Sequence, residues 1–405
     1  MPLTGENSSS LGGRRVAFVS HHDRNLYRFR LPIMQRLVAD GTAVFAICPT
    51  GDVADRFEEH DVEHIELPID RLTFNPVRAR ASIRRLRRVL ERIEPDVVHS
   101  FTLRPNLYVD LAARGMRGAV VNSVTGLGSL YAGEGGIRRA LLRGLVNMAT
   151  GFATQCRADA VVFQNPDDRD YFVGHWLCRA GRARLIVGSG VDTVEFSKGR
   201  FDREGRARLR GQWGIEPDAT VVTMIARLIS SKGVREFIEA AAALRHAATF
   251  VLIGEPDSGN PDRLSKDEIS RFASEAGVIR TGRQDNIPEW LHATDLYVLP
   301  SYREGLPRTV LEAMAMGLPI VTTRAPGCRE AVSHGENGLL VPVRNGHALA
   351  GAIEELVADK ARRARMGRRS RELAESRFRV ETVVEQHLSL YCDLIRKKGG
   401  GHGRA

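Results

Sequence analysis

Long apolar runs are absent from this chain of 405 residues, since none approaches the roughly 18 residues that a membrane-spanning helix needs. Residues 1–14 are polar and rich in glycine and serine, and they lack the apolar centre of a secretory signal peptide. We therefore expect a cytoplasmic protein with a flexible tail at residues 1–14. A second flexible tail is predicted at residues 398–405, where glycine is again frequent.

Cysteine is scarce, and the motifs of several common cofactors are incomplete. The five cysteines are widely spaced and form no Cys-x-x-Cys pair, which favours neither a disulfide framework nor a zinc site. Gly126 and Gly128 are followed by Tyr131, where a dinucleotide-binding fingerprint needs glycine or alanine, and no P-loop occurs. A nicotinamide-dependent or ATP-dependent enzyme is therefore disfavoured.

Positive charge exceeds negative charge by ten, and the excess is concentrated between Val77 and Arg92, where seven arginines accompany one acid, Glu91. The apolar residues between these arginines share one face at 100° per residue, which predicts a basic amphipathic helix. A second basic and apolar stretch runs from Ile137 to Met148. Three interpretations stay open: the solvated face of a core helix, docking on an anionic membrane surface, and nucleic-acid binding. The last is disfavoured because no recognition motif accompanies the charge.

Short β-branched runs recur in both halves of the chain, with helical patterns between them, which is typical of βαβ units and parallel sheets. We predict six strands in the first half, near 16–20, 44–48, 97–99, 120–123, 160–164 and 185–187, and six in the second, near 221–226, 250–253, 278–281, 296–300, 320–322 and 339–341. This pattern predicts an α/β protein with two doubly wound, Rossmann-like domains. Ligands of such sheets bind beyond the carboxyl ends of the strands.

The same pattern gives the predicted domain bounds. An N-terminal domain is expected at 15–190 and a second domain at 191–379. A C-terminal helix is expected at 380–397, and it could return to the N-terminal domain.

Two glutamates frame a predicted anion site after the strand that begins at Leu296. Pro307 suits the first position of a helix because its missing N–H is not needed there. The backbone N–H groups of residues 306–309 would then bind an anion. Glu304 precedes this helix and Glu312 lies within it, so a nucleotide sugar could place its diphosphate on the amides and its hydroxyls on the acids. The alternative is that Glu304 is only a helix N-terminal acid and Glu312 an exposed surface acid.

Two cations follow the strand at Val221. Arg227 lies at the predicted carboxyl end of this strand, and Lys232 precedes the helix that begins near Val234. A guanidinium fork and an ammonium at the mouth of a parallel sheet are suited to neutralising a diphosphate. The alternative is a pair of solvated surface cations.

These clusters resemble the retaining GT-B glycosyltransferases of family four, also called group 1, over nearly the whole chain. The matching segments of the second half are Arg227 with Lys232, Gly254-Glu-Pro-Asp, Gly282-Arg-Gln-Asp, Leu299-Pro-Ser-Tyr-Arg-Glu-Gly-Leu-Pro-Arg, Pro326-Gly-Cys-Arg-Glu and Asn337-Gly-Leu-Leu-Val-Pro. The spacing of Glu304 and Glu312 matches the paired-glutamate motif of that family. In the first half, Phe29-Arg-Leu-Pro, Pro95-Asp-Val-Val-His-Ser and Asn122-Ser-Val-Thr-Gly-Leu-Gly resemble the branch that extends lipid-linked surface glycans.

The resemblance implies the following roles. Arg227 and Lys232 would stabilise the departing diphosphate, Glu304 would orient the transferred sugar, and Glu312 would bind the ribose hydroxyls. Gly254 and the amides of Gly305 and Leu306 would also contact the donor. The implied acceptor-side candidates are His22, His99, Asn122 and Thr125.

The resemblance also implies substrates and partners. It implies transfer, with retention, of a sugar such as an N-acetylhexosamine from a UDP-sugar to a polyprenyl-diphosphate-linked glycan. No metal or other cofactor is expected if the two cations neutralise the leaving group. The enzyme would then work peripherally on the inner face of the cytoplasmic membrane and would bind no nucleic acid.

Two departures from the family pattern leave the catalytic base unassigned. Many members have a histidine after a strand of the N-terminal domain, near the positions of Asn122 to Val124, and this chain has none there. Ser20-His-His-Asp-Arg-Asn also stands in place of a glycine-rich donor loop. Two other functions remain as alternatives: a nucleotide-sugar 2-epimerase, and a non-enzymatic module that binds membranes or nucleic acid through its basic surface.

Overall fold

Parallel strands form two separate sheets in the computed structural model, which describes residues 11–69, 75–128, 131, 137–257, 260 and 262–400. Within these residues, the first sheet has seven strands in the order β3-β2-β1-β4-β5-β6-β7, and the second has six in the order β10-β9-β8-β11-β12-β13. The described chain divides into two compact units. One contains the described residues of 11–125, 137–186 and 383–400, and the other contains those of 126–136 and 187–382. The predicted α/β class with two doubly wound sheets is confirmed.

The first unit alternates strands and helices. Its strands are β1 (Arg15–Val19), β2 (Ala43–Cys48), β3 (Val62–Glu66), β4 (Val97–Phe101), β5 (Ala119–Val124), β6 (Ala160–Phe163) and β7 (Ala183–Leu185). Its helices are α1 (Asp23–Ala39), α2 (Pro76–Ile93), α3 (Leu103–Ala112), α4 (Ile137–Arg157) and α5 (Pro166–Gly174), joined by the larger part of the last helix, α13 (Val380–Gly400). All residues of β4, β5 and β6 are buried, as expected for a parallel sheet covered on both faces.

The second unit repeats this alternation. Its strands are β8 (Val221–Ile225), β9 (Thr249–Ile253), β10 (Ile279–Gly282), β11 (Leu296–Leu299), β12 (Ile320–Thr323) and β13 (Gly338–Val341). Its helices are α6 (Arg203–Gln212), α7 (Val234–Leu244), α8 (Lys266–Glu275), α9 (Ile287–Ala293), α10 (Arg308–Ala315), α11 (Gly346–Ala358) and α12 (Lys360–Arg377). Every residue of β8, β11 and β12 is buried, so these three central strands form the centre of its core.

Three sequence predictions differ from the structure. Strand β3 was not predicted, and it pairs in parallel with β2 at the edge of the first sheet. The predicted N-terminal tail is too long, because Leu11 is only 4% exposed and its carbonyl accepts a hydrogen bond from Thr42 Oγ1. The predicted C-terminal tail begins too early, because α13 continues to Gly400. Residues 1–10 and 401–405 lie outside the described residues.

Helices α2 and α4 both contact α3, so the three lie in one layer on one face of the first sheet. Helix α2 turns Leu86, Leu90 and Ile93 into the core and leaves its arginines exposed. Helix α4 buries small residues such as Ala153 and Thr154. Its large apolar side chains face outward, namely Leu141, Leu142, Leu145, Met148 and Phe152, which are 52% to 67% exposed.

Candidate active site

The predicted donor residues follow two neighbouring strands at the point where the strand order of the second sheet reverses. The chain proceeds from β8 outward through β9 and β10, and then returns to β11 beside β8 before continuing to β12 and β13. Arg227 and Lys232 follow β8, and Glu304 follows β11. Parallel α/β sheets bind ligands in the crevice at the carboxyl ends of such neighbouring strands.

Lys232 and Glu304 form an ion pair in this crevice, between Lys232 Nζ and Glu304 Oε1. The two side chains are 19% and 12% exposed. Gly233 makes the approach possible: it has a φ of +76°, and a Cβ there would lie 2.1 Å from the carbonyl oxygen of Pro300. The start of α7 therefore lies directly against the end of β11, which brings the cation to the carboxylate.

Arg227 is held by a carboxylate that the sequence analysis did not single out. Its Nη1 donates to Asp257 Oδ2 at 2.7 Å, and the side chain of Asp257 is 11% exposed while that of Arg227 is 53% exposed. Gly254 lies next to this pair and has a φ of +139°. A Cβ at this position would lie 1.9 Å from the carbonyl oxygen of Ala226, so only glycine fits. Asp257 belongs to the quoted segment Gly254-Glu-Pro-Asp, and that position after β9 was the available signal.

The loop between β11 and α10 is held by backbone contacts with the loop that follows β12. The N–H of Glu304 donates to the carbonyl of Pro326 at 2.9 Å, and a Cβ on Gly327 would lie 2.3 Å from the carbonyl oxygen of Glu304. Pro307 is the N-cap residue of α10, one position before the first helical position that the sequence predicted for it. Within the described residues, the N–H of Leu306 has no hydrogen-bond acceptor, which agrees with an anion site at this helix start.

Glu312 lies within α10 and is 8% exposed. Its Oε1 accepts a hydrogen bond from Arg308 Nε at 2.8 Å, one turn earlier in the helix. It is therefore not an exposed surface acid. Likewise, Glu304 is not merely an acid before a helix, because it contacts Lys232.

Cys328 lies beneath this loop and is fully buried. Burial, together with the negative charge of Glu304, raises the pKa of its thiol to about 12. The thiol is thus protonated at neutral pH, and its place is structural. It appears in the segment Pro326-Gly-Cys-Arg-Glu, whose glycine gives the sequence signal for this close packing.

In the first unit, the reversal of strand order lies between β1 and β4, and His22 follows β1 there. Its side chain is 44% exposed and caps α1, with Nδ1 accepting from the backbone N–H of Arg24 at 3.3 Å. Thr125 follows β5 and is half-buried. These two candidates lie at the carboxyl edge of the first sheet, where an acceptor could reach them.

His99 and Asn122 need correction, because both lie inside the core of the first unit. His99 is 0% exposed, with its ring nitrogens 2.5 Å from Tyr391 Oη and 2.8 Å from Ser123 Oγ. Burial lowers its pKa well below the usual value, so the ring stays neutral. Asn122 is 1% exposed and donates to Asp110 Oδ2 at 2.8 Å. Both side chains hold the sheet together and are not placed to touch an acceptor.

Comparisons with known proteins identify the family. The sequence profile of glycosyl transferases group 1 matches residues 205–373, and that of glycosyltransferase family 4 matches residues 32–195. Together they account for most of the chain. The chain belongs to the group 1 glycosyltransferases of family 4. It is therefore a retaining glycosyltransferase, which confirms the resemblance and decides against the epimerase and the non-enzymatic binding module.

A relative of this glycosyltransferase comes from Campylobacter jejuni and is named N,N'-diacetylbacillosaminyl-diphospho-undecaprenol alpha-1,3-N-acetylgalactosaminyltransferase. It is 29% identical over 94% of this chain and 99% of its own length.

Solved structures share the fold. The HepE protein of Anabaena, in complex with UDP and glucose, has a TM-score of 0.78 at 21% identity, covering 93% of this chain and 98% of that one. Sucrose-phosphate synthase of Thermosynechococcus elongatus has a TM-score of 0.81 at 22% identity, covering 95% and 100%. At these identities the likeness shows the GT-B fold.

The described residues contain no helix that is long and apolar enough to cross a membrane. They also contain no group of three or more His, Cys, Asp or Glu side chains that could hold a metal ion.

Proposed function

We propose that this glycosyltransferase transfers a sugar, an N-acetylhexosamine, from a UDP-sugar to a polyprenyl-diphosphate-linked glycan during the synthesis of a surface polysaccharide. The observation that carries the donor assignment is the cluster of Arg227, Lys232 and Glu304 at the carboxyl ends of β8 and β11. The Campylobacter relative, named for a GalNAc transfer to a diphospho-undecaprenol-linked sugar, supports the acceptor and the sugar. The HepE complex with UDP supports the nucleotide.

The donor diphosphate would lie between Arg227 and Lys232. Each cation already has a carboxylate partner, Asp257 or Glu304, which holds its side chain in place before the donor arrives. Positive groups that are preorganised where charge develops supply the largest electrostatic contribution in many enzymes. The amides of Gly305 and Leu306 would add hydrogen bonds to the same phosphates, and Gly254 would let the backbone approach the donor closely.

The two glutamates would take different parts of the donor. Glu312, which is nearly buried and oriented by Arg308, would accept hydrogen bonds from the ribose hydroxyls. Glu304, beside the cation that binds the diphosphate, would accept hydrogen bonds from the transferred sugar. Only Glu304 would then act on the sugar-dependent step.

Retention would follow from attack on the face of the sugar that the diphosphate leaves. The bond from the anomeric carbon to the diphosphate breaks, the acceptor oxygen bonds to that carbon, and the acceptor proton passes to the departing phosphate. No protein base is needed for this step. We also propose that no metal is needed, because Arg227 and Lys232 supply the positive charge, and we expect transfer to continue undiminished in excess EDTA.

The experiment for this function combines the protein with radiolabelled UDP-sugars and a polyprenyl-diphosphate glycan. We expect label in the lipid-linked product, with an α-linkage from an α-linked donor. Interconversion of the free UDP-sugar in place of transfer would show the epimerase chemistry and contradict the proposal. Label in neither product, across the common UDP-sugars and with a competent lipid acceptor, would also contradict it.

We further propose that the enzyme works on the inner face of the cytoplasmic membrane through α4. Helix α4 places Leu141, Leu145, Met148 and Phe152 on one outward face at spacings of three and four residues. Trp176, which is 82% exposed, and a cavity of about 500 Å³ beside Phe152 extend this apolar surface. Exposed apolar patches of this kind mark membrane or protein contacts.

Helix α2 would add electrostatic attraction from the same helical layer. Its arginines are exposed but its apolar face is buried in the core, so it can approach anionic lipid only through charge. Each arginine near such a surface contributes about 1 kcal/mol, and salt screens this contribution. Insertion of α4 would depend much less on salt.

Sedimentation with vesicles of phosphatidylglycerol and phosphatidylethanolamine separates the two helices. Changing Leu141, Leu145, Met148 and Phe152 together to Gln should abolish binding at high salt and leave only the weaker electrostatic binding of α2 at low salt. Changing Arg84, Arg85, Arg87 and Arg88 together to Gln should weaken binding at low salt only. The matched control, Val194→Gln with Phe272→Gln, alters exposed apolar residues of the second unit and should bind as the unaltered protein does. Normal vesicle binding by the α4 variant would contradict the proposal.

A further inference from the structure

A basic cavity lies in the second unit at the edge of the sheet opposite the donor residues. Its volume is about 540 Å³. Its walls include residues that precede β11 and β12, the turn after α10 at Gly317, and one face of α12. The donor residues follow the carboxyl ends of these strands, whereas this cavity adjoins their amino ends. It is therefore separate from the candidate active site.

The charges that line the cavity are strongly unequal. Five cations contribute to its walls, and they are Lys198, Lys360, Arg363, Arg368 and Arg371. The one carboxylate of the lining, Asp295, already accepts hydrogen bonds from Arg206 and Arg210, each at 2.7 Å. It is thus neutralised from outside the lining and offsets little of the positive charge within.

Two of the cations have clear structural partners. Arg371 donates to the backbone carbonyls of Thr193 at 2.9 Å and Phe196 at 2.8 Å, and its Nε pairs with Glu375 at 2.7 Å. Arg363 donates at 2.6 Å to carbonyls at the end of α11. These contacts tie α12 to the rest of the unit and account for both residues without a ligand.

The other three cations have no carboxylate partner among the described residues. Lys198 Nζ donates to the carbonyl of Gly317 at 3.3 Å, and Lys360 and Arg368 lie exposed at the rim. The pKa of Lys198 is lowered, because the surrounding protein desolvates its ammonium group and Arg206 adds a like charge. Like charges gathered without a counter-ion destabilise one another, and a bound anion would relieve that repulsion.

The size and chemistry of the cavity indicate the kind of anion. Small-molecule sites occupy about 300–1,000 Å³, and lysine and arginine together are suited to phosphate, through a point charge and a bidentate fork. We propose that this cavity binds a phosphorylated small molecule through its phosphate group, with Lys198, Lys360 and Arg368 as the principal contacts. The proposal does not depend on which sugar or acceptor the active site uses.

The residues of α12 that reach the cavity suggest a matched control. Lys360, Ala364, Gly367 and Arg368 recur at helical spacing on one face, whereas Arg365 is exposed on another face and does not line the cavity. The test variant is Lys198→Gln with Arg368→Gln. The control is Arg365→Gln with Arg203→Gln, which removes the same charge from exposed positions of the same unit.

Isothermal titration of the full chain with inorganic diphosphate and with glucose 1-phosphate, at fixed chloride concentration, tests the proposal. Because diphosphate could also enter the active site, every titration is repeated in an Arg227→Ala, Lys232→Ala background. We expect saturable binding that survives in this background, weakens at least tenfold with Lys198→Gln and Arg368→Gln, and is unchanged by the control.

Three results would overturn this site. The first is an absence of saturable binding of either probe in the Arg227→Ala, Lys232→Ala background. The second is equal weakening by the test and control variants, which would show only general attraction to a basic surface. The third is undiminished binding by the test variant in that background. None of these results bears on sugar transfer, which the radiolabel experiment measures separately.

Discussion

The contact between Lys232 and Glu304 allows the proposed binding of the donor diphosphate beside Lys232 to be tested by a double-mutant cycle. If the donor phosphates bind beside Lys232, removing that cation deletes an attraction and also exposes the phosphates to an unpaired carboxylate, Glu304. Replacing Glu304 as well should therefore restore part of the lost affinity.

Coulomb's law gives the scale of these effects. With an effective dielectric constant of about 20, a phosphate charge about 6 Å from Lys232 gains about 3 kcal/mol, and one about 8 Å from Glu304 loses about 2 kcal/mol. Lys232→Ala should thus weaken UDP binding about 10²-fold. The double variant with Glu304→Gln should lose only about 1 kcal/mol, or about fivefold. Glu304→Gln alone should bind UDP as tightly as the unaltered protein, or more tightly.

Isothermal titration with UDP measures all four corners of the cycle, and Lys397→Ala, an exposed lysine of α13, serves as the matched control. Near-normal UDP binding by Lys232→Ala would remove this lysine from the donor site. If the double variant binds no better than Lys232→Ala, then Glu304 does not act on the diphosphate, and the pair is only a local structural contact.

Three further predictions concern single residues. Arg227→Ala should lower turnover on the order of 10²-fold, as the loss of one preorganised donor does, and normal turnover in the transfer assay would exclude it from the mechanism. Glu312→Ala should weaken the binding of UDP and UDP-sugar alike, whereas Glu304→Ala should spare UDP and impair transfer; equal loss of UDP affinity in both would contradict the assigned roles. Burial lowers the pKa of His387 to about 4, so the unfolded chain binds a proton between about pH 6.5 and pH 4 that the folded chain does not. The free energy of unfolding should therefore decrease as the pH is lowered from about 6.5 to about 4, by up to about 3 kcal/mol from this group. A melting temperature that decreases just as steeply over this pH range in His387→Gln would refute this.

Most of the fold could be predicted because a parallel sheet covered by helices leaves a clear record in sequence. The strands that were found, such as β8 and β11, are fully buried and consist almost entirely of apolar residues, with Thr223 as the one polar exception in these two. Strand β3 was missed because it lies at the sheet edge and reads Val-Glu-His-Ile-Glu, with only Val62 buried. Its pairing with β2 is made by backbone hydrogen bonds, and a sequence this polar does not indicate a strand.

Helix α4 was harder to predict than α2, although both carry basic and apolar residues. Periodicity gives the face on which apolar residues gather, but it does not say whether that face turns inward. In α2 it does, and the arginines are left in solvent. In α4 the inward positions are taken by Ala153 and Thr154, so the leucines face outward. Whether the apolar face turns toward the core or toward solvent depends on the neighbouring elements, which lie far away in sequence.

The proposed donor residues are more clearly marked in the sequence than the acceptor candidates, and the reason lies in the backbone. Gly233, Gly254 and Gly327 each have a positive φ, and each stands where a Cβ would lie within 2.3 Å of a carbonyl oxygen. Such positions tolerate only glycine, so the loops that carry Arg227, Lys232 and Glu304 are marked in the sequence itself. His99 and Asn122 carry no such mark, because a polar residue at the end of a strand can either point into a crevice or form hydrogen bonds within the core. Each of these two side chains forms its hydrogen bonds with other residues of the core. Acceptor specificity is therefore better sought around His22 and Thr125, at the carboxyl edge of the first sheet.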